Sequence, residues 1–417
     1  MIFLNKFQKH LKCLIKNKQS SFLLALIILF ALVIRLYFFV GLTWCDNYTH
    51  HAHRLLTNGL NLGTSLSNLR IMGIYPLALF FLLFGVNNLS AGLYSLITSL
   101  GSIILIFYLG KFFFNEKIGL LSAFFLSIFP LNIIYGTSPF NDVPIGFFSA
   151  LSIFLILKAD KNEIKNPKKK YKNRILFLLS GILIGINYLH KVSGVITFVF
   201  ALPYILYKTI KKREVKLDYS LIFLGFLTII LLEGALYANL HGNFFTRYDT
   251  VSKFYREDHD INRDLKFYPT IMFNLNYGNF SFNYKNYFNE FGIFYYFIAI
   301  SLIYILTKKD KNALIVLSWF ILILLYLEFG TMSLTNYNII HKVNRHLTLI
   351  TIPGILCLSY FLVNFINGKN YRKIRKIIFM LAVFLILASS VFYTYYSYWN
   401  IKTYSWDVEQ IYNYTKN

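Results

Sequence analysis

Long apolar segments, separated by short polar loops, run along most of the chain of 417 residues. A helix needs about 20 mostly apolar residues to cross a bilayer, and about eleven segments reach or approach that length. They cover residues 21–42, 89–110, 118–135, 143–158, 175–190, 192–207, 218–238, 291–307, 312–328, 347–367 and 376–397. The pattern predicts an all-α polytopic membrane protein with about eleven transmembrane helices, in which residues 1–417 form a single transmembrane domain.

One further apolar segment, residues 71–85, is short and contains Pro76. We expect it to be re-entrant or interfacial rather than spanning. With this segment excluded, the loops on the side where the chain starts hold 28 of the 42 Lys and Arg residues and 6 of the 18 acidic residues. Because Lys and Arg accumulate in cytoplasmic loops, this predicts a cytoplasmic N-terminus. Residues 43–88 and 239–290 then form long loops on the outer face of a cell membrane.

The composition agrees with a membrane protein, since 56% of the residues are hydrophobic and 14% are charged. A formal net charge of +24 is also typical of nucleic-acid-binding proteins. Here, however, the basic residues lie in short loops between apolar segments. This distribution favours contact with membrane lipids and predicts that the protein does not bind nucleic acid. Cys13, Cys45 and Cys357 fall on different predicted levels of the membrane and suggest no disulfide framework.

The first outer loop carries the most concentrated candidate chemistry. Asp46 is followed by His50, His51, His53 and Arg54. A carboxylate at the membrane edge can act as a general base, but Asp is also a preferred N-cap of a helix, and both interpretations stay open. The histidines and Asp46 have the chemistry of zinc ligands. Their spacing does not match an HExxH helix, which favours solvated histidines over a metal site.

Two further candidates lie at predicted outer turns. Asp142 lies in the turn of residues 135–144. It either binds substrate hydroxyl groups or belongs to an Asn-Asp turn in which the side chains accept hydrogen bonds from backbone N–H groups. Lys191 lies between two apolar runs on the side that is poor in positive charge. Its ammonium group either binds a lipid phosphate or extends to ordinary phospholipid headgroups.

A basic cluster directly precedes the predicted span 347–367. It contains Lys342, Arg345 and His346. The planar guanidinium group of Arg345 suits the oxygens of a phosphate. The alternative is that the cluster anchors the protein to headgroups in general.

Five features in this order resemble the GT-C integral-membrane glycosyltransferases. They are Asp46 in the first outer loop, Tyr75-Pro76, the turn Asn141–Pro144, the junction Lys191–Gly194 and the run Arg345–Pro353. The sequence is most similar to the branch that contains the dolichyl-phosphate-mannose protein mannosyltransferases and the aminoarabinose transferases. The resemblance extends over about residues 20–365.

The resemblance implies an inverting transfer of a sugar from a polyprenyl- or dolichyl-phosphate donor to a hydroxyl group of a protein, lipid or glycan at the outer face. Asp46 is the implied base. Substrate contacts are implied for Asp142, Arg54, Tyr75 and His50, and lipid-phosphate contacts for Lys191, Arg345, His346 and Lys342. Many members have a second acid after the first, where this chain has Asn47, so a single carboxylate is expected there. Acceptor recognition then falls to residues 239–290.

No cofactor is expected to be required, because a lipid phosphate is already a competent leaving group. A Mg²⁺ ion held by Asp46 and Asp142 remains an alternative. The competing function is a transporter or flippase, which commonly has ionisable residues deep within its spans and symmetry between its halves. Arg35, Glu233 and Glu328 instead lie towards the outer ends of their segments, which favours a transferase.

Overall fold

The computed structural model describes residues 2–42, 48–59, 65–165, 170–214, 216–257, 265–273, 291–331, 337, 339–368 and 372–416. These residues form the helices α1 (Ile2–Tyr37), α2 (Tyr48–Asn58), α3 (Ile71–Phe84), α4 (Asn88–Phe113), α5 (Glu116–Ser127), α6 (Pro130–Ile134), α7 (Asp142–Lys165), α8 (Lys170–His190), α9 (Thr197–Lys212), α10 (Ser220–His241), α11 (Thr246–Glu257), α12 (Phe267–Met272), α13 (Phe294–Lys308), α14 (Lys311–Phe329), α15 (Thr348–Ile366) and α16 (Arg372–Lys416). Short 3₁₀ turns precede α9, α10 and α15. In the described residues an isolated bridge between Thr331 and Ile339 is the only β pairing, so the all-α prediction is confirmed.

The predicted spans agree closely with the observed helices. Within the described residues, nine helices are long and apolar enough to cross a membrane. Each of them corresponds to one of the predicted segments. The segment 291–307 corresponds to the shorter apolar helix Phe294–Lys308. The protein is therefore a multi-pass membrane protein.

The segment predicted as a single span over residues 118–135 is instead two helices. Helix α5 ends at Ser127 and α6 begins at Pro130, whose ring is favourable in the first turn of a helix but cannot continue an existing one. Arg35 of α1 is fully buried at this break. Its guanidinium group donates to the Ser127 carbonyl at 3.0 Å and to Asn132 Oδ1 at 2.8 Å. The cation therefore binds backbone and side-chain oxygens that the break makes available.

Helix α3 is the segment with Pro76 in its interior. Its 14 residues give a length of about 21 Å, which is less than the hydrocarbon core of about 30 Å. It packs against α2, α4 and α8. Its length fits the interfacial or re-entrant placement expected from the sequence, and its depth in the membrane stays a prediction.

Helix α15 lies at the centre of the bundle and is buried along most of its length. It packs against α4, α5, α7, α13, α14 and α16. On one side of the bundle, α8 and α10 pack closely through Gly181 and Gly225. A Cβ on Gly181 would lie 2.0 Å from the Ile222 carbonyl oxygen, so a larger residue would separate these helices.

The bundle has two chemically different ends. At the end that carries the basic loops, the buried Asp160 carboxylate lies 2.9 Å from the Lys216 ammonium and 3.0 Å from the Lys208 ammonium. The hydroxyl groups of Tyr204 and Tyr219 also donate to this carboxylate. Asp142, at the first turn of the same helix α7, belongs to the opposite end.

Candidate functional site

Asp142 is buried in the first turn of α7 and faces two cations. Arg345 Nε lies 3.2 Å from Asp142 Oδ2, and Lys191 Nζ lies 3.9 Å from Asp142 Oδ1. The hydroxyl group of Thr348 lies 3.0 Å from the Asp142 carbonyl oxygen and 2.9 Å from that of Arg345. The first turn of α7 and the turn that precedes α15 are thus held together.

Lys191 follows the last residue of α8 in an extended conformation. Its ammonium group lies 2.7 Å from His346 Nε2, and the other ring nitrogen of His346 lies 3.1 Å from the Tyr268 hydroxyl. His346 and Tyr268 are both buried, and burial raises the pKa of the Tyr268 hydroxyl. The phenol therefore remains neutral and able to accept a hydrogen bond.

A small cleft lies beside this cluster and is lined by three cationic side chains, those of Arg70, Lys191 and Arg247. The remaining lining residues are Leu66, Leu69, Val192 and Val251. Arg70 donates to the hydroxyl of Tyr48. The cleft combines positive charge with aliphatic surface, which is the combination that an anionic group on an apolar chain requires.

Arg247 comes from α11 and is itself buried. Its guanidinium group forms an ion pair with Glu233 of α10, donates to the Tyr188 carbonyl at 2.6 Å and lies 4.4 Å from the centre of the Tyr188 ring. Neither Arg70 nor Arg247 was a candidate site residue from the sequence. The one signal in the sequence was an arginine on the side that is poor in basic residues.

Lys342 lies in a different environment from the one expected for a phosphate ligand. Its ammonium group is buried and lies 2.7 Å from Glu328 Oε1. The second oxygen of Glu328 accepts the backbone N–H of Tyr268 at 3.2 Å. Lys342 and Glu328 thus form an internal ion pair that supports α12. His346, also expected to contact phosphate, is buried and contacts the Lys191 ammonium.

Tyr75 lies in α3, and His50 and Arg54 lie in α2. Tyr75 is partly buried beside Leu69 and Tyr237. His50 and Arg54 are exposed, and within the described residues no contact joins them to Asp142. Asp46, the expected base, lies outside the described residues. The role of Asp46 as base and the substrate contacts of Tyr75, His50 and Arg54 stay predictions.

His51 is the histidine that packs α2 against the following turn. His51 Nε2 lies 3.1 Å from Ser67 Oγ. Burial lowers the pKa of this imidazole, and the nearby charges of His50 and Arg54 lower it further. The neutral form of His51 is therefore the one that fits the packed helix.

Of the two residues considered for a Mg²⁺ ion, Asp142 lies within the described residues and Asp46 lies outside them. The described residues contain no cluster of three or more His, Cys, Asp or Glu side chains. Each oxygen of Asp142 faces a cationic side chain, Lys191 on one and Arg345 on the other. A divalent cation at this carboxylate would have to displace both of them.

Comparison with solved structures identifies the architecture. The Archaeoglobus fulgidus oligosaccharyltransferase in complex with Zn and sulfate superposes with a TM-score of 0.61 at 13% identity, over 89% of this chain and 53% of that one. ArnT from Cupriavidus metallidurans, in the apo state, superposes with a TM-score of 0.60 at 12% identity, over 93% of this chain and 76% of that one. The chain shares its fold with both of these proteins. The resemblance seen in the sequence is confirmed.

Two more comparisons bear on this chain. The sequence profile of the dolichyl-phosphate-mannose-protein mannosyltransferase family matches residues 70–233, which include Arg70, Asp142, Lys191 and Glu233. No curated protein sequence matches the chain. The chain spans about half the length of the archaeal oligosaccharyltransferase structures. Other matching structures are ArnT bound to undecaprenyl phosphate and the archaeal AglB in complex with an inhibitory peptide and a dolichol-phosphate.

Proposed function

We propose that this protein is a glycosyltransferase that moves a sugar from a polyprenyl- or dolichyl-phosphate donor to a hydroxyl acceptor at the outer face of the cell membrane. The observation that carries the proposal is the cleft lined by Arg70, Lys191 and Arg247, beside the pair Asp142–Arg345. Solved relatives with the same fold bind undecaprenyl phosphate or dolichol-phosphate. A lipid phosphate has the charge that the cleft would neutralise and the apolar chain that its aliphatic walls would contact.

In the proposed reaction the acceptor oxygen attacks the anomeric carbon of the sugar from the face opposite the phosphate. The bond between this carbon and the phosphate oxygen breaks, and the configuration inverts. The lipid phosphate leaves with an additional negative charge, which Lys191 and Arg70 stabilise, while Arg247, whose charge is balanced by Glu233, lines the same cleft. The proton of the acceptor hydroxyl goes to the base, the role proposed for Asp46. No covalent enzyme intermediate is needed.

The residues on both sides of Asp46 support this placement of the base. The Leu42 amide donates to Asn88 Oδ1 at 3.0 Å, and the Gly41 amide donates to the Thr137 carbonyl at 2.9 Å. These contacts place the end of the α1 segment next to the turn that leads to Asp142. On the other side, Tyr48 contacts Arg70 of the cleft. The described residues before and after 43–47 thus reach the same end of the bundle as the cations.

The acceptor would approach from the segment 239–290, of which α11 and α12 are described. Arg247 of α11 lines the cleft, and Tyr268 of α12 contacts His346. A loop of this length in a compact protein is usually functional. We therefore assign acceptor recognition to this segment, with a protein, lipid or glycan as the acceptor.

The test is transfer of radiolabelled sugar from dolichyl- and undecaprenyl-phosphate donors to membrane acceptors. Wild type should transfer label, and Asp46→Asn should reduce the rate at least about 100-fold, because the acceptor proton then has no base. Asp218→Asn, at the other end of the bundle, is the matched control and should retain activity. Full activity of Asp46→Asn overturns the role of Asp46. Flux of solute in vesicles without any transfer would support a transporter.

Orientation has an independent test that needs no substitution. Cys45 adjoins the proposed base, and Cys357 is buried in α15. A membrane-impermeant maleimide added to intact cells should modify Cys45. Modification of Cys45 only after the cells are opened would place the site at the cytoplasmic face and overturn the proposal.

A further inference from the structure

We propose that His346 and Tyr268 are positioning residues that hold the Lys191 ammonium at the cleft, and that they connect the long outer loop to the phosphate-binding cation. The inference rests on the proposed function, because it assigns Lys191 to the departing lipid phosphate. It gives His346 a role different from direct phosphate contact. It also gives Tyr268 a role that its place in the sequence does not indicate.

The hydrogen bonds determine which nitrogen of His346 carries the proton. Lys191 Nζ lies 2.7 Å from His346 Nε2, and an ammonium group can only donate, so Nε2 must be the unprotonated nitrogen. In a neutral imidazole the proton is then on Nδ1, which lies 3.1 Å from the Tyr268 hydroxyl and donates to it. The Tyr268 oxygen therefore selects the tautomer of His346 that can accept from Lys191.

His346 Nε2 and Asp142 Oδ1 both attract the Lys191 ammonium. His346 Nε2 lies at 2.7 Å, whereas Asp142 Oδ1 lies at 3.9 Å. Loss of the imidazole acceptor leaves the carboxylate as the stronger attraction, and the ammonium would move towards it. A lysine that is fully paired with Asp142 would contribute less positive charge to the cleft. His346 thus keeps Lys191 between the carboxylate and the proposed phosphate.

Tyr268 is held in place by a buried ion pair. Glu328 Oε2 accepts the backbone N–H of Tyr268 at 3.2 Å, while Glu328 Oε1 accepts from Lys342 at 2.7 Å. Lys342 also lies 5.9 Å from the centre of the Tyr268 ring. Because α12 belongs to the segment assigned to acceptor recognition, a shift of α12 would move the phenol and weaken its hold on the His346 tautomer.

The experiment is a double-mutant cycle on binding of undecaprenyl phosphate to the full-length protein in detergent. We expect Lys191→Met, Tyr268→Phe and His346→Phe each to weaken binding on the order of three- to tenfold, in line with the loss of one hydrogen bond. In the Lys191→Met background, Tyr268→Phe and His346→Phe should have no further effect. His346→Gln, whose amide oxygen can accept from Lys191, should restore most of the affinity lost in His346→Phe.

Several outcomes separate positioning from a general structural role. Tyr219→Phe is the matched control, since it removes a buried tyrosine hydroxyl at the other end of the bundle and should leave binding unchanged. Equal losses from Tyr268→Phe in the wild-type and Lys191→Met backgrounds overturn the inference. If His346→Phe does not fold, the cycle of Tyr268→Phe with Lys191→Met still tests whether the effect of Tyr268 on binding depends on Lys191.

The inference and the proposed function fail in different ways. A wild-type protein that binds undecaprenyl phosphate but transfers no sugar overturns the proposed function, while the binding cycle still tests the positioning of Lys191. A wild-type protein that transfers sugar and shows additive losses in the cycle overturns the positioning role alone. Measurement of kcat and KM on the same variants should show the larger effect in kcat, since the phosphate charge develops in the transition state.

Discussion

Arg345 Nε lies 3.2 Å from Asp142 Oδ2, and this contact joins the first turn of α7 to the turn that precedes α15. The Asp142 carboxylate lies at a helix N-terminus, where negative charge is favourable. The Arg345 guanidinium also lies 4.6 Å from the centre of the Phe140 ring. Both groups are thereby fixed before any substrate binds. This pair is the rigid part of the site beside which the cationic cleft opens.

Substitution of Asp142 by Asn should reduce sugar transfer on the order of 100-fold, because small displacements of positioning groups have effects of that size. The amide cannot balance the charges of Arg345 and Lys191, so both side chains would reorient. Steady-state transfer by the purified protein measures the effect. Asp218→Asn serves as the control, since its partner Arg174 is exposed at the opposite end. Wild-type activity in Asp142→Asn would contradict the prediction.

Removal of the Arg247 side chain should lower the free energy of unfolding of the protein. Arg247 and Glu233 are both buried, and Arg247→Met leaves the Glu233 carboxylate without its partner, at a cost of about 3–5 kcal/mol. The double variant Arg247→Met/Glu233→Leu should recover most of that loss. Denaturant unfolding in detergent measures it. Arg174→Met, from an exposed pair, should cost less than about 1 kcal/mol. An equally unstable double variant would contradict the ion-pair explanation.

The packing of α2 should weaken in acid. Because the pKa of His51 is lowered below 6.5 in the packed state, the detached helix binds the proton more readily. The stability of the packed helix is therefore present above pH 6.5 and falls as the pH decreases through this value. Hydrogen exchange of residues 48–58 at about pH 7.5 and about pH 5.5 tests this. After correction for the intrinsic exchange rate at each pH, the protection of these amides should be lower at the lower pH in wild type, and His51→Gln should remove the difference.

Chelation of divalent metal ions should leave transfer unchanged. The two oxygens of Asp142 face Lys191 and Arg345, which already supply positive charge where a metal ion would otherwise bind. The measurement is the transfer rate in excess EDTA, followed by addition of Mg²⁺ or Mn²⁺. A rate that falls with EDTA and returns with a divalent ion would show that the reaction requires a metal.

The apolar pattern alone determined most of the architecture. The positions of the long spans follow from hydropathy because a backbone in a bilayer must satisfy its hydrogen bonds within each helix. The uneven distribution of Lys and Arg also separated the two ends of the bundle correctly, with Asp160 at one end and Asp142 at the other. The break at Pro130 was missed, since the apolar run continues through it and the contacts that stabilise two separate helices, such as those with Arg35, are tertiary.

The candidate site was only partly predictable. Asp142, Lys191 and Arg345 were found because a charge beside an apolar run is unusual, and the structure brings these three together. The roles of the remaining residues depended on tertiary contacts. Lys342 and Lys191 have equal charge in the sequence, yet Lys342 is neutralised by Glu328 whereas Lys191 lines the cleft. Composition and hydrophobic pattern thus determined which segments are helices and at which end of the bundle each loop lies. The tertiary structure decided which buried partner each cation has.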